Sequence, residues 1–174
     1  MIPQSLALAL IVAGGAADQS PGQALIGFAR SLSAAAFLPG RLPIRRIIHR
    51  DLLGMFRPAQ ARTADPERWV SNDESCFAEV MAVEHHRPLT RIMFGCRFTT
   101  DDDAARFLRE AATALRGPMV PPLAENIPRD FHHRAFITAG GHLIGVELHV
   151  IPHNTALLAT VVLTEGARIV IPGG

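Results

Sequence analysis

CFAEVMAVEHHRPLTRIMFGCRF, residues 76–98, is the stretch on which the fold turns. Two apolar-rich runs, 76–84 and 89–98, flank His85-His86-Arg87-Pro88, a break that reads as the tip of a β-hairpin. If the turn centres on His86, Cys76 faces Cys96 across the strands, whereas a turn centred half a residue away separates them. The two cysteines therefore stand either as one cross-strand bridge, in an oxidising compartment, or as two small buried hydrophobes, in a reducing one. They are too few for a four-cysteine zinc site or a disulfide-dense scaffold.

Working outward, Thr100-Asp101-Asp102-Asp103 offers an N-cap and an acidic first turn. Ala104, Phe107, Leu108, Ala111 and Leu115 fall on one stripe and Gly117-Pro118 ends it, which predicts a helix over residues 101–116. The three acids are explained by the cap and the helix dipole; consecutive residues on a helix point in different directions and make a poor metal site. Residues 118–130 carry four prolines and read as an irregular crossing. Beyond them, residues 134–138, 142–151, 155–163 and 168–171 form a predicted meander of four antiparallel strands. Gly140-Gly141, Pro152-His153-Asn154 and Glu165-Gly166 punctuate it.

Upstream of the hairpin, residues 57–74 are rich in Pro, Asp, Thr and Ser and read as a long connection around Trp69. A helix is expected after Pro43, with Ile44, Ile47, Ile48, Leu52 and Phe56 on its apolar side. Another begins at Ser20-Pro21-Gly22-Gln23, buries Leu25, Phe28, Leu32, Ala35 and Ala36, and stops at Pro39-Gly40. The expected fold is one α+β domain, residues 18–174. An antiparallel sheet, hairpin plus four-strand meander, packs against the N-terminal helices and a central helix.

Residues 1–17 read two ways. Leu6 to Ala13 is apolar and Gly15-Ala16-Ala17 resembles a signal-peptidase site, which points to a periplasmic or secreted protein, although no Arg precedes Leu6. Alternatively, residues 6–12 are a buried strand and the protein is cytoplasmic. The run is too short to span a bilayer as a helix.

A hydrophobic share of 48% with 19% charged residues fits a folded domain. Net charge is +1, so no general basic field for nucleic acid exists. Every one of the 17 basic residues is Arg, which rules out Schiff-base lysines, lysine general bases and a P-loop lysine. The one dense basic patch, Arg41, Arg45, Arg46 and Arg50, reads as a solvated helix face and lacks an aromatic platform for bases. Glu147 and His149 share one face of a strand with Leu143 and Gly145, while Ile144, Val146, Leu148 and Val150 share the other. A carboxylate beside an imidazole can share a proton, or join His142 and His153 as metal ligands; a plain solvent-facing strip is the alternative. His85-His86 and His132-His133 sit at an expected turn and loop and need no special role.

Ala78-Glu79-Val80 through His86-Arg87-Pro88-Leu89, and His133-Arg134-Ala135-Phe136 through Gly140-Gly141-His142-Leu143 to Glu147, resemble the two hairpins of the chorismate lyase-like superfamily, including ligand-binding domains of some bacterial repressors. The resemblance covers about a third of the chain. It implies a closed pocket in which Glu147 meets a bound ring acid. The chain departs from the pattern where Ala78 stands in place of the carboxylate-binding Arg, where no Gly precedes Arg87, and where His142 replaces the second Pro. A substitute cation for the dicarboxylate would have to be Arg91 or Arg97.

Three functions follow as expectations: a binding module for a small aromatic or carboxylic acid, with no cofactor; an exported interaction or assembly module with a protein partner; or a cofactor-independent lyase or isomerase.

Overall fold

The computed structural model describes residues 20–34, 41–59, 67–83, 89–115, 123, 126–139 and 142–168. Three helices, α1 (Pro21–Ala34), α2 (Arg41–Leu52) and α3 (Asp101–Ala114), cover one face of a seven-stranded antiparallel sheet. The strands are β1 (Phe56–Pro58), β2 (Glu67–Ser71), β3 (Cys76–Val83), β4 (Leu89–Phe98), β5 (His132–Ala139), β6 (His142–His153) and β7 (Ala156–Arg168). Their order is β1-β2-β3-β4-β7-β6-β5, so β7, the last strand among the described residues, closes against the hairpin at the centre of the sheet. The fold is α+β, as expected.

Helix α3 begins where its cap places it. Thr100 Oγ1 accepts from the Asp103 N–H at 3.2 Å and donates to the Asp103 carboxylate at 2.7 Å. Asp101 pairs with Arg129 and Asp103 with Arg106, so these two acids are engaged locally. Ala104, Phe107, Leu108, Ala111 and Leu115 are all buried, and Arg106 is exposed. Ser20 caps α1 by accepting from the Gln23 N–H, and Leu25, Phe28 and Leu32 are buried; the expected stop at Pro39-Gly40 lies outside the described residues. The apolar sides of α1 and α3 face the sheet and α2 packs on α1, in one buried cluster with the alternate sheet residues Ile92, Phe94, Ile144, Val146, Leu148, Ala159, Val161 and Leu163, all essentially inaccessible. Burial of this surface is the main driving force of the fold.

Three expectations are corrected. Phe56 does not extend α2: the helix ends at Leu52, Gly54 takes φ +97, and Phe56 starts β1. A positive φ of this kind is open to glycine without steric cost and breaks the helical path. The stretch 57–74 is more than a connection, because Glu67–Ser71 forms β2, with Trp69 turned toward the helices against His49 and Val70 on the opposite face. Glu165-Gly166 is no turn: β7 runs through it to Arg168, pairing Glu165 with Ile144 and Arg168 with His142. The C-terminal sheet is therefore three strands among the described residues, and Ile169–Ile171 of the expected fourth lie outside them. The amino-terminal segment 1–17 also lies outside the described residues.

In the hairpin, Val83 pairs with Leu89 and Cys76 with Cys96, the register of a turn centred on His86. The two cysteines form a disulfide with Cα atoms 4.0 Å apart. The Cys76 N–H is directed away from β4 and donates to Ser71 Oγ at 2.9 Å, which leaves the cysteines as the close-approach kind of cross-strand pair.

Candidate functional site

With three helices on one face, the chemistry collects on the other. The alternation that buries Ile92, Phe94 and Cys96 sends Arg91, Met93, Gly95 and Arg97 to the other face, the one that carries no helix among the described residues and is called the helix-free face below, along with Arg68, Val70, Phe77, Glu79, Thr160, Val162, Glu147, His149, His132 and Arg134. Register aligns them into rows across the strands. One row runs Arg68, Glu79, Met93, Val162, Glu147, Arg134, and the next runs Val70, Phe77, Gly95, Thr160, His149, His132. Each row is apolar or small in the middle and ionic or imidazole toward its far end.

At the β2–β3 end lies a cleft of about 390 Å³ lined by Arg57, Arg68, Arg97, Val70, Phe77 and Glu74, among others. Its volume is within the range of small-molecule sites. Phe77, nearly buried, forms part of the lining, and the Arg68 guanidinium carbon lies 5.0 Å from the ring centroid. Arg68 also approaches Glu79 at 3.7 Å, and Arg57 binds Glu74 at 2.7 Å. Three guanidinium groups against one lining carboxylate leave the cleft net positive.

The wall beside the cleft is held by a tight turn. Asp73 accepts from the Ser71 hydroxyl at 2.6 Å, the Ser75 N–H at 3.1 Å and the Ser75 hydroxyl at 2.8 Å. These bonds, the Ser71 hydroxyl foremost and the Ser75 N–H next, hold the Asp73 carboxyl below its ordinary range against the opposing effect of desolvation. Glu74 follows at φ 59, a left-handed conformation that costs a non-glycine residue about 1 kcal/mol or more. That conformation carries the chain from Ser71 to Cys76 and sets Glu74 beside Arg57.

A second cleft of about 510 Å³ lies between α1 and α3, lined by Gln23, Ile26, Arg30, Arg109, Glu110, Thr113 and Ala114. Gln23 donates to Glu110 across it at 2.8 Å, so it is a hydrogen-bonded groove between helices of mixed charge.

The sequence candidates separate on this frame. Arg97 is in the arginine cleft. Arg91, on the same face, lies six residues away along β4, about 20 Å, and does not line the cleft. Glu147 is on the helix-free face but lines neither cleft; its side chain is 28% exposed and its carboxylate meets Arg134 Nε at 3.5 Å and His149 Nε2 at 3.4 Å. Ala78 is fully buried and faces the helices. The grouping of His149 with His142 and His153 is corrected. His142 lies at the opposite end of β6 and His153 at its turn, roughly 24 and 14 Å along the strand, and the imidazole that joins His149 is His132 of β5. Its ring stacks on His149 with centroids 4.4 Å apart.

Arg57, Arg68 and His132 were not legible as site residues, since each sits in a stretch that reads as loop. No local pattern marked them: Trp69 and Val70 are adjacent apolar residues and His132, His133 and Arg134 are three polar residues in a row, so neither stretch shows the alternation of a half-buried strand.

Fold and site together define an α+β protein with a helix-free sheet face that carries an arginine-lined cleft at one side and an imidazole–carboxylate cluster at the other. No family model matches the chain, and no curated protein or solved structure matches it.

Proposed function

We propose that the protein binds a small carboxylic acid with an aromatic or apolar body, in the cleft between β2, β3 and β4. The observation that carries this reading is the convergence of Arg57, Arg68 and Arg97 on one cavity with Phe77 and Val70 in its lining. A planar guanidinium donates two parallel N–H bonds to a carboxylate, and a ring edge or face gives the rest of the molecule somewhere to leave water. Arg97 is the primary anchor, because Arg57 and Arg68 are already engaged with Glu74 and Glu79. Binding rather than lyase chemistry is favoured: the lining carboxylate, Glu74, is tied to Arg57, and Ala78 faces the core. The Cys76–Cys96 bridge supports an oxidising compartment and, with it, the reading of residues 1–17 as an export signal.

The test is a thermal-shift titration with benzoate-type and aliphatic acids. A ligand at a hundred times its Kd adds about 2.7 kcal/mol to stability. In a chain of this length that is a rise of about 5–10 °C in Tm. Arg97→Gln, an exposed position, should abolish the rise while leaving the unliganded Tm unchanged. Glu147→Gln should leave the rise intact, whereas a lyase-like pocket centred on Glu147 would lose it.

Phe136, Leu143 and Ile151, exposed by 52%, 37% and 48% on the same face, favour a second reading in which the β5–β6 edge meets a protein partner. Loss of a cross-linked or co-purifying partner in Phe136→Ser distinguishes it.

A further inference from the structure

We infer that His132, Glu147 and His149 form a binding site for one divalent transition-metal ion of the zinc, nickel or cobalt kind. This site is separate from the acid cleft and does not rest on it. Register brings the three together: His132 is directly opposite His149 on β5 and β6, and Glu147 is two residues before His149 on the same face. One potential ligand atom from each lies within 4.8 Å of the other two. A tetrahedral ion with bonds of about 2.0–2.1 Å requires ligand atoms about 3.3–3.4 Å apart. Glu147 Oε2 and His149 Nε2 already stand 3.4 Å apart. The His132 nitrogen has to close by at most about 1.4 Å, which rotation of its exposed side chain can supply.

The surroundings suit the chemistry. Two imidazoles and a carboxylate are the ligand set that selects these ions over calcium or magnesium, which prefer oxygen. Arg134 Nε lies 3.5 Å from the other carboxylate oxygen, Oε1, and so turns Oε2 toward His149; an outer partner of this kind commonly orients a ligating side chain. Arg134 is 60% exposed, so its charge is largely screened by water. Three protein ligands leave the fourth position of a tetrahedral ion to water. The two rings stand stacked, 12° from parallel at 4.4 Å, and because an imidazole nitrogen offers its lone pair in the plane of the ring, metal binding turns His132 out of the stack until its lone pair points at the ion.

The test is titration calorimetry of the metal-free full chain with Zn2+, paired with Co2+ absorption, whose d–d bands intensify in a tetrahedral field. One ion per chain is expected, with at least a tenfold loss of affinity in each of His132→Ala, His149→Ala and Glu147→Gln and no loss in His153→Ala. Far-UV circular dichroism and the metal-free Tm establish that each variant is folded. If His149→Ala fails to fold, the other two, both altered at accessible side chains, decide the matter. Absence of stoichiometric binding, wild-type affinity in any one of the three variants, or a loss in His153→Ala overturns the assignment. Retention of the acid-induced Tm rise in Glu147→Gln keeps this outcome distinct from that of the cleft.

Discussion

Removal of the Cys76–Cys96 bridge by the double substitution to Ala tests how the hairpin is held. The cysteines are 20 residues apart in sequence. Cross-linking a loop of that length lowers the entropy of the unfolded chain by an amount worth about 3 kcal/mol at 25 °C. Both residues are also buried, at 4% and 1%, and the Cys96 sulfur lies 3.8 Å from where a Gly22 side chain would begin, so it packs beneath the start of α1. Loss of the two sulfurs leaves a small void and adds about 1 kcal/mol. The total, about 4 kcal/mol, is a large part of the stability of an ordinary domain. With a urea m-value of about 2 kcal/mol per molar, the unfolding midpoint should fall by about 2 M. Trp69, the one tryptophan, reports directly because it pairs with Ala78 two residues from the bridge. Fluorescence and far-UV circular dichroism should give coincident transitions, and reductant should shift the wild-type protein by a similar amount without affecting the variant. A variant whose midpoint lies within about 0.3 M of wild type, or a wild-type midpoint indifferent to reductant, would refute the reasoning.

Gly95→Ala should destabilise the protein by about 1–3 kcal/mol in the same assay, since the added carbon would lie 2.3 Å from the Ala159 carbonyl oxygen and 2.9 Å from Thr160 Cγ2. Neutral behaviour would mean that β4 and β7 are not so closely apposed. Thr100→Ala should cost about 1 kcal/mol through the lost cap of α3, and Thr100→Ser should recover most of it, both read from urea midpoints. Because the folded state depresses the Asp73 pKa, its contribution is fully present above the unfolded value of about 3.9 and is lost as pH falls through the lower folded value. Asp73→Asn should therefore be less stable than wild type at neutral pH, with the gap narrowing on acidification; a gap constant from pH 7 to about 2 would contradict the hydrogen-bonded turn.

Much of the fold was determined by the sequence alone, where a signal is local. The cap, stripe and breaker of α3 lie within a few residues of one another, and so do the two runs and the turn of the hairpin. Their energetics are set by neighbours at fixed spacing, which a sequence displays directly. The face shared by Glu147 and His149 was legible for the same reason, because side chains alternate along a strand. What no local pattern carries is which strand lies beside which. Arg57, Arg68 and Arg97 come from three different strands and His132 from a fourth, and only the order β1-β2-β3-β4-β7-β6-β5 brings the first three to one cleft and the last onto His149. Glu165-Gly166 reads as a turn in isolation, yet β7 continues through it because β6 supplies hydrogen-bond partners as far as His142. Trp69 and Phe56 likewise enter strands because backbone groups excluded from water require partners, which the neighbouring strand provides. Tertiary pairing, and the burial that enforces it, thus decided the site, while sequence period decided the elements that carry it.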